Sequence, residues 1–125
     1  MSRVVHFDLS ADDPQRAAAF YRAVFGWPVE KWNGPTDYWL MTTGDAAQPG
    51  ITGGIARRAS AGDATAVVFD VANLEAAAAR VVACGGSIRE PAQTLPGVGR
   101  LVTCRDTEGN TFCLLQPEQG PQESP

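Results

Sequence analysis

The strongest constraint on this chain is an internal repeat. Shifting the sequence by sixty positions, without gaps, places Asp13 on Asn73, Ala17–Ala19 on Ala77–Ala79 and Gly26 on Gly86. Leu9 then falls on Phe69 and Ala11 on Val71. Alanine matches are cheap, but a shared strand, helix cap, apolar stripe and stop are not. A repeat of this kind means two copies of one supersecondary unit, neither of which can bury its apolar face alone.

The unit can be read from the first copy. "RVVHFDL" (residues 3–9) alternates and is rich in β-branched and aromatic residues, so it is a strand. Asp13 is a helix N-cap with Pro14 at the first helical position. Ala17, Phe20, Tyr21 and Val24 follow at helical spacing, and Gly26 is a natural stop. Three further strands are expected at Val29–Trp32, Tyr38–Thr43 and Thr52–Arg58, separated by "NGPT" and "GDAAQPG". The second copy gives a strand at Ala64–Val71 and a helix from cap Asn73 to Cys84, stopped by Gly85-Gly86. Strands at Ser87–Glu90, Leu101–Arg105 and Thr111–Gln116 complete it. The expected fold is α+β: two tandem βαβββ modules in one domain over residues 1–117, module one 1–60 and module two 61–117. Residues 118–125, "EQGPQESP" after Pro117, read as a disordered tail.

Composition narrows the function classes. The net charge is −4 and Arg57-Arg58 is the one adjacent basic pair, so no concentrated basic face points to nucleic acid. No apolar run approaches the roughly 18–20 residues of a membrane span. "MSRVV" does not read as an export leader, so the expected compartment is the cytoplasm. Three cysteines without a CxxC pair read as reduced, buried thiols. Phosphate-cradling glycine loops and GxSxG nucleophile motifs are absent.

The candidate functional residues start with His6, the one histidine of the chain. Strand alternation puts His6, Asp8 and Ser10 on one face and Phe7 and Leu9 on the other. His6 can be a hydrogen-bonded pocket residue, a general base or polar anchor, or a metal ligand. Trp27, Trp32, Tyr38 and Trp39 with Met41 concentrate aromatic surface in module one, of the kind small-molecule pockets use. By alternation Trp39 and Met41 share one face and Tyr38 and Leu40 the other. Trp32, Trp39 and Met41 are taken as pocket candidates with His6 and Asp8. "TLPGVGRLV" (94–102) reads as a loop able to close over a cavity, with Arg100 available to an anionic group. Cys113 is a further pocket candidate, although nothing adjacent in sequence would activate its thiol.

The motifs "HFDLSADDPQRAAAFYRAVFGW", "DYWLMTTG", "GITGGIARR", "PGVGRLVTCRDTEGN" and "TFCLLQP", in this order over two matching modules, resemble the vicinal oxygen chelate superfamily. That superfamily includes glyoxalase I, bleomycin-resistance proteins and extradiol dioxygenases. The chain is most similar to its single-domain members related to lactoylglutathione lyase. The resemblance implies a curved mixed sheet around a cavity, a small organic ligand and a homodimer. In metal-dependent members, ligands come from the first and last strand of each module. Here those positions hold His6, a residue near Gly53, Ala66 and Cys113, two donors at most where Zn²⁺-type sites need three or four. The expectation is a binder of a small molecule, of bleomycin-resistance type, without a cofactor. The alternative is a lyase or isomerase with Ni, Zn, Mn or Fe held through His6.

Overall fold

The computed structural model describes residues 2–59 and 64–118; the expected module boundary and residues 119–125 of the expected tail lie outside them. Glu118, the first tail residue, donates its N–H to the Val98 carbonyl at 2.9 Å. Val4–Val67 is one compact unit, and the chain from Val68 onward, joined by Arg3, is the other.

Module one runs β1 (Val4–Ala11), α1 (Pro14–Phe25), β2 (Val29–Lys31), β3 (Tyr38–Met41) and β4 (Thr52–Arg57). The helix begins where its chemistry dictates: the Asp13 carboxylate accepts the Arg16 N–H at 3.1 Å, and Pro14 has no N–H to satisfy. It ends on Gly26, whose φ of 71° is the left-handed conformation that an L side chain resists. In space the strands run β2-β3-β4-β1; β4 is antiparallel to β3 and parallel to β1. Ala18 of α1 meets Val29, Met41 and Ile55 in a buried core, with Phe7, Leu9, Tyr21, Trp27 and Trp39 packed around it. The opposite face of this sheet therefore belongs to His6, Asp8 and Ser10.

Module two repeats the order with β5 (Ala66–Asp70), α2 (Leu74–Ala83), β6 (Ser87–Leu95), β7 (Gly99–Arg105) and β8 (Thr111–Pro117), arranged β5-β8-β7-β6. Asn73 caps α2 through Ala76 N–H at 2.9 Å, the counterpart of Asp13. The helix stops two residues earlier than the repeat implies, at Cys84, and Gly85 takes the positive φ of 101°. Gly86 is needed for a different reason: a Cβ there would lie 2.6 Å from the Arg105 carbonyl oxygen. Leu74, Val102, Cys104 and Leu114 form the core under α2.

Two expectations in module two are corrected. Strand β6 does not end at Glu90 but continues through Pro91 to Leu95, because its pairing with β7 slips between Ile88 and Glu90 and again between Glu90 and Gln93. Proline is tolerated at such irregularities, where no ladder N–H is demanded of it. The segment 94–102 is consequently not a closing loop. It is a hairpin, Leu95 paired with Gly99 and the Val98 N–H closing on the Leu95 carbonyl at 3.0 Å.

Candidate functional site

The site is built on the free face of module one by three neighbouring strands. β1 supplies His6 and Asp8, β3 supplies Tyr38 and β4 supplies Thr52, which sits opposite His6 in the parallel register. The Tyr38 hydroxyl donates to Asp8 Oδ1 at 2.5 Å and lies 2.6 Å from His6 Nε2. A phenol has one proton, and here Asp8 takes it. Nε2 must therefore carry a hydrogen and donate to the Tyr38 oxygen. In the neutral ring Nδ1 is then the acceptor, and the Thr52 hydroxyl is 2.9 Å from it. His6 Nε2 and Asp8 Oδ1 are themselves 3.3 Å apart, with side chains 18 % and 25 % exposed. The chain Thr52–His6–Tyr38–Asp8 is thus a directed row of hydrogen bonds ending on a carboxylate that solvent can reach.

Room for this row comes from a glycine. Gly54 lies opposite Asp8 on one side and Leu40 on the other, and a Cβ there would collide with the Tyr38 phenol. The neighbouring Gly53 does the same for the Phe7 ring on the core face. Trp32 stands edge-to-face against Tyr38, ring centroids 6.0 Å apart, and so borders the cluster.

Trp39 and Met41, pocket candidates by sequence, lie on the other face: Met41 is 1 % exposed in the α1 core and Trp39 packs against that core. The cause is parity. Met41 pairs with Gly53 and Trp39 with Ile55, the β4 residues that turn toward α1, while Tyr38 pairs with Ala56. Tyr38 was legible as an aromatic but not as a site residue; the signal was a Gly-Gly in a strand whose neighbour carries "DYW".

The other two candidates belong to module two. Arg100 turns toward α2, where its Nη2 meets Glu75 Oε2 at 2.6 Å, beside Gln116, which accepts the Leu74 N–H at 2.8 Å. The hydrogen bond from Arg100 holds the Glu75 carboxyl below its ordinary range. Cys113 is buried on β8, with its sulfur 3.7 Å from Thr103 Oγ1. Burial pushes the neighbouring core thiol, Cys104, up from its usual range, which disfavours the thiolate.

The residues do not fit a divalent metal centre. Among the described residues, no three His, Cys, Asp or Glu side chains converge. Ala66 is a buried methyl, and Gly53 has no side chain to offer. His6 Nε2 is engaged by Tyr38. Among the described residues, cavities lie elsewhere. One of about 410 Å³ runs beside α2 between Val71 and Arg80, and one of about 330 Å³ lies within the loop Thr43–Thr52.

Comparison with known proteins agrees with this architecture. A family model described as a glyoxalase-like domain matches residues 4–115. The mycobacterial protein named "Putative glyoxylase CFP32", from Mycobacterium bovis and Mycobacterium tuberculosis, is 34% identical over 115 residues. The match covers 88% of this chain but 42% of that protein, so the chain spans about two-fifths of the length of these relatives. Among solved structures, methylmalonyl-CoA epimerase from Mycobacterium tuberculosis superimposes with a TM-score of 0.69 at 14% identity, covering 93% of this chain and 88% of that one. A Streptomyces coelicolor methylmalonyl-CoA epimerase, in complex with 2-nitronate-propionyl-CoA, gives 0.71 at 16% identity over 94% and 98%. Likeness at such identities concerns the fold. With the family model matched over nearly its whole length, the chain belongs to the glyoxalase-like family of the vicinal oxygen chelate superfamily.

Proposed function

We propose that this protein binds a small organic molecule on the free sheet face of module one, without a metal, using His6, Tyr38 and Asp8 as its polar anchor and Trp32 as its apolar border. The observation that carries this is the Tyr38 phenol held between His6 Nε2 and Asp8 Oδ1, a polar group seated by a glycine rather than by core packing. Burying or half-burying three hydrogen-bonding side chains on a sheet face has little use for stability alone. Structural neighbours crystallised with acyl-CoA ligands support small-molecule binding as the theme of the fold.

The same row favours an enzymatic reading as the alternative, an isomerase or lyase in which Tyr38 and His6 exchange protons with a ligand. We also propose a cytoplasmic homodimer. The free cysteines support a reducing compartment. Phe20, Val24 and Phe25 on α1 are 57%, 54% and 55% exposed, which supports a second copy covering that face.

Amide NMR shifts on titration with a panel of aromatic fragments test the binding reading. Shifts concentrated at residues 6–10, 38–40 and 52–56, and lost in His6→Ala, are expected. Shifts confined to other regions would overturn it. Turnover of a hemithioacetal by the metal-free protein would promote the enzymatic alternative.

A further inference from the structure

Every proton that the anchor could offer a ligand is already committed within the protein. Tyr38 gives its hydroxyl proton to Asp8, His6 gives the Nε2 proton to Tyr38, and His6 Nδ1 and the Thr52 hydroxyl, 2.9 Å apart, engage each other. Ser10, next along the same face, has its hydroxyl 3.4 Å from the Ala64 carbonyl. What is left open is acceptor capacity on a charged atom. Asp8 is a quarter exposed, both contacts to it fall on Oδ1, and Oδ2 has no partner among the described residues.

Four basic side chains of the module hold partners other than Asp8. Arg57 Nε is 2.7 Å from Asp37, Arg58 Nη1 is 3.1 Å from Asp12, and Lys31 is 3.8 Å from Asp37. Arg22 is turned to the Val29 carbonyl on the α1 side. A carboxylate left half-satisfied on a sheet face calls for a donor, and a charged donor makes the stronger bond. An anionic group would meet a like charge at Asp8 and no uncommitted proton on the anchor itself. Among the described residues, the unpartnered N–H of the module, Arg58 Nε, is buried in a guanidinium already held by Asp12 and the Ser10 carbonyl.

Resting on the binding reading above, we infer that the ligand presents a protonated amine to Asp8 Oδ2, so that this site selects organic cations with an aromatic or apolar body. Trp32, edge-on to Tyr38, supplies the surface for that body and an electron-rich ring near the ammonium.

Benzylamine, benzyl alcohol and benzoate share one body and differ only in the group offered. Each is titrated into the full chain and its Kd read from the amide shifts of residues 6–10, 38–40 and 52–56. Benzylamine is expected to bind at least tenfold more tightly than benzyl alcohol, with benzoate the weakest. Asp8→Asn should erase the amine preference, bringing the benzylamine Kd to that of benzyl alcohol in the same variant. Tyr38→Phe, which keeps the ring and releases Oδ1, should retain the preference and guards against an Asp8 variant that fails to fold. Benzyl alcohol or benzoate binding at this face as tightly as benzylamine would overturn the inference and leave the binding reading standing, as would a preference that survives Asp8→Asn. Absence of shifts at these residues with all three probes would overturn both.

Discussion

Tyr38 occupies, with its phenol, the space that a side chain at Gly54 would need. The two residues lie on the same face of adjacent strands, two positions from facing each other: Tyr38 opposes Ala56, and Gly54 opposes Leu40. The missing side chain at Gly54 leaves the phenol room to reach His6 and Asp8 on β1. Gly54→Ala should expel the phenol and break both of its hydrogen bonds. The expected cost is about 1–3 kcal/mol of stability in urea unfolding, the usual penalty for overpacking. Near-UV circular dichroism should change with it, and the amide shifts on ligand titration should vanish. A variant with unchanged stability and unchanged ligand response would show that the ring has another place to go.

Neighbouring residues on β3 test which face is which. Met41 is buried against α1, whereas Leu40 is 41% exposed. Met41→Ala should lose about 2–5 kcal/mol, a full core truncation with its cavity. Leu40→Ala should lose far less, and neither should abolish ligand binding. Equal losses from the two variants would contradict the parity of this strand.

The β7–β8 turn carries a pH signature. The Asp106 carboxylate accepts from the Asn110 side chain at 3.0 Å and from the Asn110 and Glu108 N–H groups at 2.9 and 2.8 Å. These bonds, the side-chain one foremost, hold its pKa below the ordinary 3.8. A carboxyl depressed on folding adds stability above its unfolded pKa and loses that contribution as pH falls through the folded value. Asp106→Asn should therefore be less stable than the parent from pH 7 down to about 5, and the two should converge below about pH 4, near the ordinary carboxylate range. Thermal melts across this range give the readout; a gap that persists undiminished at pH 2–3 would contradict the assignment.

The α1 face offers an oligomerisation test. Sedimentation should give a dimer for the parent chain, and Phe20→Asp combined with Val24→Asp should give a folded monomer. A parent that sediments as a monomer at high micromolar concentration removes the second copy from this face.

Much of this architecture could be read from the residues, because the governing interactions are local. Asp13-Pro14 and Asn73 declare helix starts through their own backbone chemistry, and Gly26 declares a stop. His6 could be assigned its face because Phe7 and Leu9 need the core. What escaped reading depends on partners distant in sequence. Arg100 looks available until Glu75 of α2 is brought to it. Pro91 looks like a strand end until the slipped pairing of β6 with β7 excuses its missing N–H. Tyr38 needed the β3 parity, which a single residue of slippage would invert, and the GlyGly of β4 to seat it.

The parallel pairing of β1 with β4 has a temporal side. His6 and Thr52 are 46 positions apart, and Asp8 faces Gly54 across the same pair of strands. On a ribosome adding about 5–20 residues per second, β1 waits roughly 2–9 s before the strand that completes its anchor has been made. During that interval the nascent chain carries a histidine and an aspartate with no phenol seat between them. On the binding reading proposed above, the complete anchor exists only in a chain whose synthesis has passed the end of β4, so ligand capture would mark the closing of the first module.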